Sequence, residues 1–172
     1  SQYFPLPVWS ADSRTLWAVV PPKNSLNLPA EETSIWKILP DEARSELVNQ
    51  VETYPLLWPE ISPDLSFLIY QAPMPEQPGI PVTRLTLLNL ATSTETVYYT
   101  DQIQFHGWAP DSLHFVFTAG QGSLYTILGH RNESPVSLPQ PGASGQVTWL
   151  DANHFLFFSQ DKISWQLRLA TT

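Results

Sequence analysis

The chain has 172 residues, a formal net charge of −8 and no cysteine. With 42% hydrophobic residues it can build a real core, and disulfides, thiolate metal sites and thiol catalysis are excluded. Only 14% of residues are charged and no basic run occurs, which argues against nucleic acid and against anionic membrane surfaces.

No apolar run approaches the roughly 20 residues that span a bilayer, so membrane insertion is not expected. Seventeen prolines make long helices improbable. The lack of cysteine fits an exported bacterial protein slightly better than a cytoplasmic one, and predicts an extracytoplasmic location. Ser1 in place of Met predicts a processed or excised chain.

In chain order, the sequence repeats one pattern. WSADS (9–13) is followed by the apolar runs LWAVV (16–20) and SIWKIL (34–39), then the more polar SELVNQ (45–50). DEARSELVNQV (41–51) also admits a helix capped by Asp41, but its neighbours favour a strand. The second copy runs ISPDL (61–65), FLIYQ (67–71), TRLTLLNL (83–90) and TETVYYT (94–100). The third runs WAPDS (108–112), HFVFT (114–118), SLYTIL (123–128) and SPVSLP (134–139). The fourth, WLDAN (149–153), HFLFF (154–158) and ISWQLRL (163–169), lacks the proline and one residue of the motif, and stops before a fourth run.

These short runs are rich in Val, Ile, Leu and aromatics, and turn residues bound them, so they predict strands. Pro-Asp or Ala-Asp breaks the first strand, and the Asp carboxylate is suited to accept backbone N–H bonds in the turn. Asp12, Asp64, Asp111 and Asp151 are therefore read as structural turn residues. Apolar middle runs suit strands buried on both faces. The polar fourth run suits an exposed outer edge. Trp9, Trp108 and Trp149 are expected in the core.

The pattern of Trp-x-Pro-Asp, apolar run and Ser-x-Tyr, clearest at Trp108–Ser112 with Ser123–Tyr125, resembles the TolB-like, or WD-type, β-propeller repeat. Ser13, Leu65 and Ser112 stand where that repeat usually has glycine. The resemblance implies an all-β propeller of four repeat units, the fourth incomplete, forming part of a larger propeller. One domain over 1–172 follows, with repeats of about 3–54, 55–101, 102–144 and 145–172. A closed four-unit ring, with Gln2–Pro5 as the outer strand of the last repeat, is the alternative. An open arrangement would expose strand edges and apolar faces, and predicts a homodimer through them.

A propeller's first strands line its central channel. Trp58, Glu60, Phe105, His106 and Gln146 are the candidates there. Trp58 and Phe105 occupy equivalent positions, and such aromatics can stack on a peptide or a carbohydrate. Packing between blades is the plainer reading of both. Two loops, 21–33 and 72–82, are long enough to carry recognition.

Catalytic signals are thin. His106, His114, His130 and His154 lack metal-ligand spacing, and no metal or other cofactor is expected. His114 and His154 hold equivalent positions at the start of a strand, which points to a structural role. No G-x-S-x-G occurs, and GQGS (120–123) reads as a hairpin turn. Glu31 and Glu32 are read as loop residues, and Asn132-Glu133-Ser134 fits the glycosylation triplet.

The expected function is a non-catalytic module that binds a protein or peptide, or a carbohydrate. The alternative is the gating propeller of a prolyl-oligopeptidase-like hydrolase whose catalytic residues lie outside this chain. A sugar-active lyase ranks third, since only His106 and Glu60 are available to it.

Overall fold

The computed structural model describes residues 6–21, 31–53, 57, 59–74, 82–120, 125–141, 147–160 and 165–172. Two compact units are present, Ser1–Tyr99 and Thr100–Thr172.

The first unit begins with β1 (Leu6–Trp9), β2 (Leu16–Val20), β3 (Glu31–Leu39) and β4 (Arg44–Thr53), which form one sheet in that order. β5 (Glu60–Ile61), β6 (Phe67–Pro73), β7 (Thr83–Asn89) and β8 (Thr94–Asp101) form the next, again in chain order. A single 3-10 turn, Pro40–Glu42, precedes β4. It ends at Ala43, whose left-handed backbone turns its N–H back to the Pro40 carbonyl at 3.1 Å. The chain then pairs with β3 from Leu39↔Arg44 to Glu31↔Thr53, and the helix that 41–51 admits does not form. Strand pairing lets Val51 reach the core, which outweighs the helix propensity of a mostly polar segment. Glu31 and Glu32, read as loop residues, open β3 instead, because the pairing with β4 extends to them.

Alternation along the strands sorts the side chains onto two faces. From the first sheet Trp17, Val19, Ile35 and Val51 meet Ile61, Leu68, Tyr70 and Leu88 of the second, in one apolar cluster. Each fully buried Leu or Ile here contributes about 1.5–3 kcal/mol.

The second unit repeats this arrangement. β9 (Ile103–Trp108), β10 (His114–Ala119), β11 (Tyr125–His130) and β12 (Glu133–Pro141) make a four-stranded sheet. β13 (Thr148–Trp149), β14 (His154–Gln160) and β15 (Trp165–Thr171) make a three-stranded one among the described residues. Val116 and Leu128 of the former pack with Phe155, Phe157 and Trp149 of the latter. Phe115 is fully buried and sits between Trp108, at a ring-centroid distance of 5.2 Å, and Phe117, at 6.1 Å. Its ring lies over Gly129, where a Cβ would overlap it.

The outer strands are the polar ones. β4, β8 and β12 are exposed over much of their length, and β12 carries Pro135, Pro139 and Pro141. Proline gives up a ladder N–H, which an outer edge tolerates.

The tryptophans of the motif divide. Trp108 is buried, and Trp149 packs on Phe155 at 4.9 Å. Trp9, expected in the core, is 53% exposed. It pairs with Leu16 on the face of the first sheet that points away from the second.

Candidate functional site

The most regular chemistry in the molecule lies in the motif turns. In the first copy the Ser10 N–H donates to the Thr15 carbonyl, and the Ser13 N–H returns to the Ser10 carbonyl. Ser62 with Phe67, and Ala109 with His114, make the same five-residue closure. The fourth copy is one residue shorter and closes from Leu150 to His154. In all four the Asp carboxylate accepts backbone N–H groups just beyond it, from Arg14, Ser66, Leu113 and Asn153.

A second group completes each turn, and it comes in two versions. Ser10 and Ser62 donate their hydroxyls to Asp12 and Asp64 at 2.6 Å and accept the Thr15 and Phe67 N–H. The third copy has Ala109 in place of serine. There His114 supplies the bond, its Nδ1–H donating to Asp111 Oδ2 at 2.6 Å. His154 does the same for Asp151 at 2.9 Å. Serine early in the turn and histidine at its end are thus alternative ways to satisfy one carboxylate.

The hydrogen bonds shift the acids. The Ser10 hydroxyl and the Arg14 N–H hold Asp12 below the usual carboxylate range. Burial works against ionisation of Asp111, but its backbone and side-chain bonds from His114 outweigh it and the pKa falls. The Asn153 N–H and the His154 ring lower Asp151.

Of the channel candidates, Trp58 and Gln146 lie outside the described residues, as does most of the loops 21–33 and 72–82. Glu60 is half-buried in β5, opposite Ile69, and burial raises its pKa. Phe105 and His106 follow one another in β9 of the second unit. Phe105 packs inside its own sheet, edge-on to Trp108 at 6.5 Å and tilted on Phe115 at 6.1 Å. Phe105 pairs with Phe117 and Gly107 with Val116, so His106 is the extra residue of a β-bulge. Gly107 takes φ 127°, which the bulge requires and glycine permits. The bulge turns the His106 ring onto the buried Thr118 hydroxyl, 3.1 Å from Nε2. Burial pushes the imidazole down to about 4 from the ordinary 6.5, so it is neutral at neutral pH.

Some polar chemistry escaped the sequence. The His114 and His130 rings meet edge to face at 4.8 Å because β10 and β11 pair them directly. Tyr70 is held neutral by burial and by the Glu95 carboxylate beside it. Thr33 and Thr53 share a buried hydrogen bond at 2.8 Å across β3 and β4. Strand register brings these pairs together, and register is not written at either position alone.

An open depression of about 380 Å³ in the first unit is lined by Asp12, Arg14, Thr15, Leu39, Asp41 and Glu42. Among the described residues no group of three or more His, Asp or Glu side chains is placed to hold a metal ion.

No family model and no curated protein matches the sequence. Solved structures do match. The β-propeller domain of the Trilobed protease from Pyrococcus furiosus aligns with a TM-score of 0.62 and 12% identity, over 97% of this chain and 55% of that one. An oligogalacturonate lyase in complex with manganese gives 0.65 and 14%, over 92% of this chain and 47% of that one. A putative TolB from Agrobacterium tumefaciens gives 0.58 and 17%, over 99% and 58%. This chain spans about half the length of the solved chains it matches. At such identities the likeness concerns the fold alone. Four successive antiparallel sheets, each built inner strand to outer strand in chain order, have the architecture of a partial β-propeller.

Proposed function

We propose that this chain is a non-catalytic propeller module that binds a protein, a peptide or a carbohydrate. One observation carries this reading: the Asp and His residues that recur with the repeat are engaged in holding its turns. Asp111 with His114, and Asp151 with His154, spend their bonds on closing strands. The neutral His106 ring is tied to Thr118.

A second reading keeps the same module and adds an enzyme. The neighbours include the propeller domain of a protease. In that reading the chain is a gating propeller, and the nucleophile, base and acid belong to another domain. A lyase role gains least, since among the described residues its candidates are Glu60 and His106. The neighbour described with manganese lends its fold and not its metal.

The test is to screen the 172-residue chain for binding to peptide and oligosaccharide arrays, alongside hydrolysis of chromogenic peptide, ester and glycoside substrates. The expected result is saturable binding without turnover. Turnover that follows the chain through purification, and falls on replacing His106 or Glu60, overturns the reading.

A further inference from the structure

Strand register in the second unit sets two imidazoles against each other. His114 opens β10, His130 closes β11, and the two are direct cross-strand partners. Their side chains therefore leave the sheet on the same side. The rings meet with centroids 4.8 Å apart and planes at 61°. Their side chains are 23% and 18% exposed, so solvent reaches both.

Turn closure does not require this pair. His154 closes the fourth turn on Asp151 as His114 closes the third on Asp111, yet the residue across the sheet from His154 is Thr171. In the second sheet the same place holds Phe67 opposite Asn89. His130 thus stands where the turn motif makes no use of a histidine. A carboxylate lies on the Nδ1 side of each ring. The His114 Nδ1–H donates to Asp111 Oδ2 at 2.6 Å, which in the neutral ring leaves the lone pair on Nε2. Glu133, the partner of His130 across β11 and β12, brings Oε1 to 3.9 Å from His130 Nδ1, and the Asn132 N–H points to the same nitrogen at 3.3 Å. A carboxylate behind an imidazole fixes the tautomer that binds a metal and raises the basicity of the other nitrogen.

We propose that His114 and His130 form a two-histidine site for a divalent transition-metal ion of the Zn2+ type. Two imidazoles on one tetrahedral Zn2+, each with its nitrogen about 2.1 Å from the ion, have centroids about 5 Å apart, close to the spacing found here. Both rings bind through Nε2, and the His130 proton moves to Nδ1, on the side of Glu133. Among the described residues no group of three or more His, Asp or Glu forms, so water completes the coordination. Imidazole ligands select Zn2+, Cu2+ or Ni2+ over Mg2+, which prefers oxygen.

The experiment is calorimetric titration of the 172-residue chain with ZnCl2 from about 1 µM to 1 mM, at about pH 7.5 where ordinary imidazoles are neutral, with MgCl2 in parallel. The expected result is saturable Zn2+ uptake with 15N shifts at both imidazoles, and no such response to Mg2+. His130→Gln removes a ligand and weakens binding by more than about tenfold, since the loss of outer-shell groups alone reaches that size. His114→Gln does the same, and His130→Gln carries the test should the His114 variant lose its turn and unfold. His154→Gln, at the equivalent turn with Thr171 opposite, leaves the affinity unchanged. Absence of Zn2+ uptake over the whole range overturns the proposal, as does uptake indifferent to His130→Gln or weakened equally by His154→Gln. Equal uptake of Mg2+ also overturns it, since a chain of charge −8 then gathers divalent cations without the imidazoles.

Discussion

Ser13, Leu65 and Ser112 follow the motif Asp with φ of 58°, 61° and 62°. This is the left-handed region, where a Cβ crowds the backbone and costs about 1–2 kcal/mol. Glycine is the residue of the resembled repeat at this point, and the backbone shape explains why. Ser13 is exposed and makes the cleanest test. Ser13→Gly is expected to raise stability by up to about 1 kcal/mol in urea unfolding, relief of strain being partly offset by a freer unfolded chain. An unchanged or lower midpoint would show that the turn is not strained. Leu65 is a poorer site, since it also packs on the apolar cluster. Asp111 is the best placed of the motif acids for loss of function in the turn. Asp111→Ala removes the acceptor for two N–H groups and for the His114 ring, and costs about 1–2 kcal/mol after allowance for solvent screening. Asp111→Asn, which keeps one acceptor oxygen, should recover part of that loss in the same measurement.

His106 gives the fold a pH dependence. Its folded pKa of about 4 lies below the ordinary 6.5, so the folded chain resists a proton that the unfolded chain accepts. Stability from this group is complete above about pH 6.5 and falls as pH drops toward 4, by roughly 2 kcal/mol between pH 7 and pH 5. Glu60 runs the other way. Burial raises its pKa, so its ionisation costs stability above the usual carboxylate range and the cost fades as pH falls. The His106→Gln variant isolates the first effect. Its stability should drop by less than that of the wild type between pH 7 and pH 5, and equal drops would remove His106 as the cause.

At the scale of elements, Gly129 shows how one strand makes room for another. It sits opposite Phe115 in β11, and the ring occupies the space that a side chain would need. Gly129→Ala must shift Phe115 or the strand, and overpacking of this kind costs about 1–3 kcal/mol. Thermal unfolding is expected to show a lower midpoint, and an unaltered one would mean that the Phe115 ring moves freely. The strands themselves were legible. Apolar runs of the right length between turn residues marked each middle strand, and polarity marked the outer ones. The repeat also separated β4 from the helix that DEARSELVNQV admits, because its place after the SIWKIL run outweighed local propensity. Other features were not legible. Trp9 reads like Trp108, but Trp108 is buried and Trp9 is exposed. The exposure of a sheet's face depends on what packs against it, and the residue type carries no record of that. The bulge at His106 is equally silent, since it follows from a register shift between β9 and β10. Phe105, a candidate ligand contact by position, packs on Trp108 and Phe115 of its own sheet, in line with the plainer packing reading.

For the whole molecule, the repetition of one sheet explains how its core is built. Each sheet presents apolar residues on both faces, and within each unit neighbouring sheets cover one another. The carboxylates and imidazoles that recur with the repeat close its turns. The central claim is that the four copies share one register. Solution NMR tests it through cross-strand NOEs at equivalent places. The account predicts contacts running Trp9–Leu16–Ile38, Ile61–Leu68–Leu88, Trp108–Phe115–Gly129 and Trp149–Phe155–Ala170. A different pairing in any two of the four, or sequential helical NOEs along 41–51, would contradict it.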